Sequence, residues 1–179
     1  MRKLKLDELG RISVEDYKKS TKIPITVILD DIRSLNNIGS VFRTADAFRI
    51  EAIHLCGITA CPPHREIHKT ALGATDSVSW KYYENVISSV KELKDNGYVI
   101  CGIEQTTKSI DIEDFDMHKK QKTAIIFGNE VSGINNSILG MLDHCVEIPQ
   151  FGTKHSLNIS VCAGIVLWEV FKKFRINID

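Results

Sequence analysis

Short apolar runs alternate with helical segments along most of this chain, and that alternation is the strongest constraint on its fold. The run Ile23–Leu29 is continuous and rich in β-branched residues, which is typical of a strand buried on both faces of a parallel sheet. Further strands are predicted at Ala52–Cys56, Tyr98–Ile103, Thr123–Phe127 and Cys145–Ile148. Strands that alternate with helices favour an α/β fold, in which helices flank a parallel sheet.

Helices are expected between these strands, where apolar positions recur at helical spacing. One helix follows the first strand and is predicted to begin at Asn36 or Asn37, because asparagine side chains accept the free backbone N–H groups of a first turn. The others are predicted at Ser13–Tyr17, His64–Leu72, Glu84–Asn96, Asn135–Leu142 and Leu157–Phe174. Residues 1–22 carry seven basic and four acidic side chains, so we expect a short basic arm there and one domain over residues 23–179.

The composition narrows the class of protein. Lys plus Arg equals Asp plus Glu at 23 each, and this neutrality disfavours a domain that simply coats nucleic acid, although it leaves a local basic patch open. The five cysteines are scattered and never spaced as C-x-x-C, which favours reduced thiols in a cytoplasmic protein. The polar first 22 residues and the absence of a long uncharged apolar run predict a soluble protein without a signal peptide or membrane span.

Familiar nucleotide-binding fingerprints are missing from this sequence. The stretch Asp30–Gly39 after the first strand is not the G-x-G-x-x-G turn of a dinucleotide site. No G-x-x-x-x-G-K-[ST] or G-x-S-x-G motif occurs, which excludes a P-loop NTPase and disfavours an α/β-hydrolase. The strand–helix alternation is therefore present without the usual phosphate loop.

A first polar constellation occupies the helix after the first strand. Asn37 lies at the predicted helix start, Gly39 would allow another backbone or a ligand to approach closely, and Arg43 follows further along the helix. A helix N-terminus ahead of an arginine suits a phosphate group. An ordinary capped helix with a surface pair between Arg43 and Asp46 explains these residues equally well.

Two more constellations follow later strands. Gly128, Asn129 and Glu130 come directly after the strand Thr123–Phe127, and ligands in parallel α/β sheets bind beyond the carboxyl ends of strands. The third constellation follows the last strand, where Ser156, Asn158 and Ser160 stand at the start of a highly apolar helix. All three polar groups thus lie where a strand gives way to a helix, which favours one shared site over three ordinary turns.

These three stretches resemble the ordered motifs of the SpoU/TrmH family of trefoil-knotted, S-adenosylmethionine-dependent RNA methyltransferases. The matching patterns are N-x-G-x-x-x-R-x-A-D-A in Asn37–Ala47, F-G-N-E-x-x-G in Phe127–Gly133 and I-P-x-x-G-x-x-x-S-L-N-x-S-V in Ile148–Val161. The segment Lys69–Trp80 is similar to the family's intermediate region, and the resemblance spans roughly residues 24–172. It implies a deep C-terminal trefoil knot, whereas the alternation of elements alone predicts an unknotted sheet.

The resemblance also implies a reaction, a cofactor and a set of residues. The expected activity is transfer of a methyl group from S-adenosylmethionine to a ribose 2′-hydroxyl of tRNA or rRNA by a cytoplasmic homodimer. The implied catalytic residues are Asn37, Arg43, Glu130, Ser156 and Asn158, and the implied cofactor-binding residues are Glu104, Gly128, Asn129, Ile148 and Leu157, with Gln105 a weaker candidate. The family assigns Arg43 the activation of the hydroxyl, but a guanidinium keeps its proton, so a phosphate clamp that stabilises the developing alkoxide is the easier role to defend.

Other interpretations of the sequence stay open at this stage. A non-catalytic RNA-binding or assembly protein could keep the same fold without the reaction. No metal is expected, because the His64 and His68 pair lacks the H-E-x-x-H order of a zinc helix and suits an exposed helix. The apolar helix from Ser160 to Phe171 is expected either at the centre of the monomer or in a subunit interface. RNA selection is expected to involve the basic arm and the C-terminal segment Lys172–Arg175.

Overall fold

The computed structural model describes residues 1–117 and 121–174, which are built around a seven-stranded parallel sheet. The strands are β1 (Ile23–Asp30), β2 (Ile50–Cys56), β3 (Ser79–Tyr83), β4 (Val99–Ile103), β5 (Ile110–Asp111), β6 (Thr123–Phe127) and β7 (His144–Glu147), in the spatial order β3-β2-β1-β6-β4-β7-β5. The helices are a 3₁₀ helix (Leu6–Leu9), α1 (Val14–Lys19), α2 (Leu35–Ala47), α3 (Arg65–Ala71), α4 (Ala74–Ser77), α5 (Val86–Asp95), α6 (Asn136–Leu139) and α7 (Ile159–Phe174). The predicted α/β class with a parallel sheet is confirmed.

The sheet is covered on both faces, because successive side chains of a strand point to opposite sides. On β1, Val27 and Leu29 pack into the cluster under α2, α3 and α7, whereas Ile28 packs into the cluster under α5 and α6. Every residue of β6 is buried, as the continuous apolar runs predict for central parallel strands. The core therefore consists of two layers that share the central strands.

Strand β7 lies between β4 and β5, and this insertion fixes the path of the last third of the chain. Val146 of β7 pairs with Ile103 of β4 on one side and with Ile110 of β5 on the other. The 104–109 loop, which joins β4 to β5, consequently crosses the carboxyl end of β7, where the chain continues into Ile148. The last strand is thus enclosed by a loop formed earlier in the chain.

Several predicted helix boundaries are wrong: α5 begins at Val86 and α7 at Ile159, each two residues later than predicted. Helix α2 begins earlier than Asn36 or Asn37, because Ser34 is the capping residue and accepts the N–H of Asn37 at 3.3 Å. Helix α6 is one short turn, Asn136–Leu139, instead of the predicted helix to Leu142. The chain leaves this helix after Leu139, because the Asp143 carboxylate accepts the N–H of Ile100 at 2.8 Å and thereby directs the chain into β7.

The sequence patterns did not predict two strands, β3 and β5. Four of the five residues of β3 are exposed, so this edge strand has no apolar run to mark it. Strand β5 has only two residues, Ile110 and Asp111, and both are exposed. Each strand is defined by pairing with a neighbour, β2 or β7, and not by its own composition.

The N-terminal segment is tied to the core through Tyr17. Its ring is buried in α1, and the Lys22 ammonium lies 4.3 Å from the ring centroid. Ser13, at the start of the predicted helix, caps α1 by accepting the N–H of Asp16 at 3.1 Å. No helix in the described ranges is long and apolar enough to cross a membrane.

Candidate active site

The loops that follow β4, β6 and β7 enclose a pocket of about 690 Å³. Nine of the predicted site residues line it: Glu104, Gln105, Gly128, Asn129, Glu130, Ile148, Ser156, Leu157 and Asn158. These residues come from separate stretches of the sequence, which the carboxyl ends of neighbouring parallel strands bring together. The pocket is of the size that binds a ligand as large as a nucleotide.

The loop after β6 is folded tightly on itself. Asn129 and Gly133 exchange two backbone hydrogen bonds of 3.0 and 2.9 Å, and a Cβ on Gly128 would overlap the backbone of Gly133 and Ile134. The Asn129 side chain donates to the Asp31 carbonyl at 2.7 Å, which joins this loop to the end of β1. Glycine at position 128 is therefore required by the close approach of two backbone segments.

Glu130 connects the loop after β6 to the start of α2. Its carboxylate accepts the N–H of Arg33 at 3.1 Å and that of Ser34 at 3.2 Å. Burial raises the pKa of Glu130, but these backbone donors and the Asn37 side chain outweigh it, so the net pKa lies below its ordinary value. The carboxylate thus remains charged at the N-terminus of α2, where negative charge is favourable.

Asn158 brings the third constellation into contact with the first. Its Oδ1 accepts the N–H of Ser160 at 2.9 Å, which caps α7, while its Nδ2 donates to Oδ1 of Asn37 at 3.3 Å. Ser156 lines the pocket with an exposed side chain. The predicted meeting of the polar residues before α7 with Asn37 on α2 is observed directly.

Glu104 follows β4 and holds two pocket loops together. Its carboxylate accepts the N–H of Gln105 and the N–H of Ile134, each at 3.0 Å. Ile148 and Leu157 add apolar surface to the wall formed by the chain after β7. This arrangement offers apolar surface, backbone groups and carboxylates to a bound molecule.

Arg43 lies outside the pocket lining of the single chain. It is exposed on α2, and the described part of the chain contains no ion pair between it and Asp46. Asp46 instead accepts a hydrogen bond from the Ser77 hydroxyl at 3.3 Å. Gly39 allows close packing with α3, since a Cβ there would overlap Thr70 and the Ile67 carbonyl.

Sequence patterns missed several groups of this site. Ser34 caps α2 beneath Glu130, and Glu147 lines the pocket with one carboxylate oxygen accepting the Ser109 hydroxyl at 2.9 Å. Cys162 also lines the pocket, and burial raises its pKa to about 11. The position of Glu147 at the end of the predicted strand Cys145–Ile148 was the one available signal, because strand ends in parallel sheets carry ligand-binding groups.

The histidines of α3 have a structural explanation. Nδ1 of His64 accepts the N–H of Glu66 at 3.2 Å and caps the helix, while His68 is exposed on its surface. Within residues 1–117 and 121–174, no group of three or more His, Cys, Asp or Glu side chains is arranged to hold a metal ion.

The chain is similar to several known proteins. A TrmH family protein of Staphylococcus epidermidis is 29% identical over 161 residues, which are 89% of this chain and 63% of the relative. A tRNA (guanosine(18)-2′-O)-methyltransferase of Borreliella burgdorferi is 30% identical over 151 residues, which are 84% of this chain and 67% of that enzyme. The chain therefore spans less than two thirds of the length of the staphylococcal relative.

Solved structures match over most of the chain. The SpoU methyltransferase AviRb of Streptomyces viridochromogenes, in complex with the cofactor AdoMet, has a TM-score of 0.76 and 27% identity over 90% of this chain and 64% of its own. The A. aeolicus TrmH/SpoU tRNA modifying enzyme has a TM-score of 0.79 and 23% identity over 91% of this chain and 81% of its own. The likeness confirms the predicted α/β knot fold, in agreement with the enclosed position of β7.

A family model matches the chain over residues 24–168, a range that contains all but the first residue of β1, all three polar constellations and most of α7. The match covers the same motifs that meet around the pocket. The chain belongs to the SpoU rRNA Methylase family.

Proposed function

We propose that this protein is an RNA methyltransferase that transfers a methyl group from S-adenosylmethionine to a ribose 2′-hydroxyl of tRNA or rRNA. The observation that carries the proposal is the meeting of three family motifs around one pocket, joined by the Asn158–Asn37 hydrogen bond and by the Glu130 bonds to α2. The AdoMet complex of AviRb and the 2′-O-methyltransferase of Borreliella burgdorferi support the cofactor and the class of reaction.

The pocket residues fit the proposed cofactor. Its volume of about 690 Å³ suits a nucleoside-sized ligand, and the side chains of Ile103, Ile148 and Leu157 offer apolar surface to a flat purine. Bound S-adenosylmethionine supplies an electrophilic methyl group. The proposed cofactor-binding residues are Glu104, Gly128, Asn129, Ile148 and Leu157.

The proposed catalytic residues are Asn37, Arg43, Glu130, Ser156 and Asn158. Glu130 fixes the first turn of α2 and Asn158 orients Asn37, so the helix that carries Arg43 is held against the pocket loops. We assign to Arg43 a clamp on the phosphate next to the target ribose, from which its charge also stabilises the oxygen as the hydroxyl loses its proton. Alignment of that oxygen with the methyl group is the main task, since the reaction is a direct displacement.

A homodimer accounts for the exposed position of Arg43. Helix α7 buries one side in the core, yet Val161, Ile165 and Trp168 form a stripe at helical spacing that is 51%, 37% and 42% exposed. Phe48, the residue that ends α2, extends this stripe, with its ring centroid 5.8 Å from that of Trp168. We propose that two such surfaces pack together and bring Arg43 of one protomer towards the pocket of the other.

Light scattering tests the homodimer. The wild type should have the mass of two chains, and Trp168→Glu should give monomers with little methyl transfer because a buried charge disrupts an apolar interface. Trp80→Glu serves as the matched control, since Trp80 is 37% exposed on β3, an edge strand of the sheet. A monomeric wild type with full activity would contradict the proposal.

The N-terminal arm and the cytoplasmic location complete the proposal. The exposed basic side chains of residues 1–22 would contact RNA phosphates, whereas Lys22 packs on the Tyr17 ring. Lys172 pairs with Glu169 and Lys173 donates to the Phe115 carbonyl, so an RNA contact there would replace these bonds, and Arg175 lies outside the described residues. All five cysteines are free thiols, which suits the reducing cytoplasm where RNA is modified.

Mapping of 2′-O-methyl groups tests the reaction and identifies the RNA. Total RNA from cells with and without the gene is compared, and the purified protein is then supplied with labelled S-adenosylmethionine and RNA from the deletion strain. One or more tRNA or rRNA positions should lose the methyl group in the deletion strain and regain it in vitro. Cofactor binding without any transferred label would instead support the non-catalytic RNA-binding protein.

A further inference from the structure

The walls of the pocket are acidic. Within the part of the chain that the structure describes, its lining includes the carboxylates of Glu104, Glu130 and Glu147 but no Lys or Arg side chain. His155 is the single histidine among those lining residues. A ligand in this pocket therefore meets an excess of negative charge, although the chain as a whole is neutral.

Neutral donors hold these carboxylates in place. Glu104 accepts two backbone N–H groups, from Gln105 and Ile134, and Glu147 accepts the hydroxyl of Ser109 at 2.9 Å. The five ion pairs found among residues 1–117 and 121–174 involve other acidic side chains. Because no cation cancels them there, the charges of Glu104 and Glu147 act on whatever occupies the pocket.

The two forms of the proposed cofactor differ by one positive charge. S-adenosylmethionine has a sulfonium, whereas the product, S-adenosylhomocysteine, has an uncharged thioether of nearly the same shape. Apolar contacts and backbone hydrogen bonds stabilise the two bound ligands to nearly the same extent. Electrostatic attraction to carboxylates distinguishes them, because only the cofactor gains from it at the sulfur.

We propose that Glu104 and Glu147 make the pocket selective for the cationic cofactor over its neutral product, an inference that rests on the proposed methyltransferase function. Loss of the methyl group removes the charge that these side chains attract, so the product is held more weakly than the cofactor it came from. Glu130 is left out of the test, because it already belongs to the proposed catalytic set and fixes the start of α2. Glu104 and Glu147 are thus specificity-determining residues of the pocket.

Calorimetric binding to the full-length protein tests this selectivity. The ligands are S-adenosylmethionine, S-adenosylhomocysteine and sinefungin, which has a protonated amine in place of the methyl sulfonium. The variants are Glu104→Gln, Glu147→Gln and the double variant, with Glu84→Gln as the control because Glu84 is exposed outside the pocket lining. Thermal unfolding of each variant establishes that it is folded.

The decisive quantity is the ratio of the dissociation constant of S-adenosylhomocysteine to that of S-adenosylmethionine. We expect each pocket variant to weaken the binding of S-adenosylmethionine and of sinefungin by about tenfold, while the binding of S-adenosylhomocysteine changes by less than about twofold. In the wild type, raising the salt concentration from about 0.05 M to about 0.5 M should reduce the preference for the two cations. The Glu84→Gln control should retain the wild-type ratio.

Three results would overturn the inference. An unchanged ratio in Glu104→Gln and Glu147→Gln would mean that the carboxylates do not act on the ligand's charge. Equal weakening of all three ligands would mean that the side chains only support the pocket loops. Failure of the wild type to bind any of the three ligands would overturn the proposed function itself, and this outcome is distinct from the other two.

Discussion

The loop after β2 and the loop after β6 leave the same edge of the sheet but use their polar groups differently. In the first, the Thr59 hydroxyl donates to the Leu29 carbonyl at 3.0 Å and accepts the N–H of Ile32 at 2.9 Å. In the second, Glu130 reaches across to α2, and Val131 is 83% exposed beside the pocket. The β2 loop uses its hydroxyl in buried hydrogen bonds to the end of β1, whereas the β6 loop reaches α2 and leaves an exposed surface beside the pocket.

This contrast separates two parts of the same sheet edge: the loop after β2 supports the fold, and the loop after β6 lies where we propose that the reaction takes place. Thr59 is 2% exposed, so its hydrogen bonds stabilise the end of β1 and are not available to a ligand. Function is expected where polar groups remain at the surface and are positioned by long-range contacts, as with Glu130 and Asn158. Three sets of substitutions test the contrast, from the largest expected effect to the smallest.

The largest effect is expected from Arg43→Ala. Loss of the proposed phosphate clamp should reduce methyl transfer by about a thousandfold, which corresponds to about 4 kcal/mol of transition-state stabilisation. Arg65→Ala is the matched control, because Arg65 is also exposed but lies on α3, after the β2 loop. Initial rates with the identified RNA give the comparison, and near-normal turnover by Arg43→Ala would remove Arg43 from the catalytic set.

A paired glycine substitution should separate the two loops. Gly128→Ala forces a Cβ into the backbone of Gly133 and Ile134, so we expect a loss of about 3 kcal/mol in the free energy of unfolding and of at least about a hundredfold in cofactor affinity. Gly57→Ala is strained too, since Gly57 has a φ of +62° and its Cβ would overlap the Asp31 carboxylate.

For Gly57→Ala we expect destabilisation with cofactor affinity retained in the folded fraction. Denaturant unfolding and calorimetry measure the two quantities separately. Gly140→Ala should leave both unchanged, because nothing lies within 4 Å of its Cβ position. Equal losses of cofactor affinity at Gly57 and Gly128 would contradict the division between a supporting loop and a binding loop.

The smallest effect concerns His54, a buried residue of β2 far from the motif loops. Burial lowers its pKa to about 4; Glu92 has a smaller raising effect, and Lys81 adds a smaller lowering one. Its neutral form therefore contributes stability that is complete above the unfolded-state pKa of about 6.5 and is lost as the pH falls towards 4. By pH 4.5 this loss should reach about 2 kcal/mol.

His54→Gln keeps a neutral partner for Ser89, whose hydroxyl lies 2.8 Å from Nδ1 of His54. The difference in unfolding free energy between wild type and variant should change by about 2 kcal/mol between pH 7 and pH 4.5. Taking this difference cancels the opposite contribution of Asp30, whose pKa burial raises to about 6. His68→Gln, at an exposed position, should show no such change, and a pH-independent difference for His54→Gln would refute the assignment.

The sequence was most informative where structure follows from local burial. The runs at Ile23–Leu29 and Thr123–Phe127 predict central strands because they must be buried on both faces, and both are confirmed. The start of α2 was placed too late because Glu130, almost a hundred residues away, accepts the N–H groups of Arg33 and Ser34. Local capping preferences cannot register such a contact.

The candidate site was predictable for a related reason. Its polar constellations lie where strands give way to helices, which predicts one shared site, whereas the assignment of Gly128, Ile148 and Leu157 to the cofactor came from the family resemblance. Glu147 and Ser109 were missed because their hydrogen bond depends on β5 pairing with β7, and β5 has only two residues. The position of Arg43 relative to a pocket likewise depends on packing that no local pattern encodes.

The position of β7 between β4 and β5 has a consequence for the order in which the molecule folds. β7 can reach its place only by passing the 104–109 loop, so that loop and the central strands must be arranged before the last strand enters. The wall containing Ile148 and Leu157 then forms after most of the sheet. During refolding, the ability to bind the cofactor should accordingly return later than the bulk of the secondary structure.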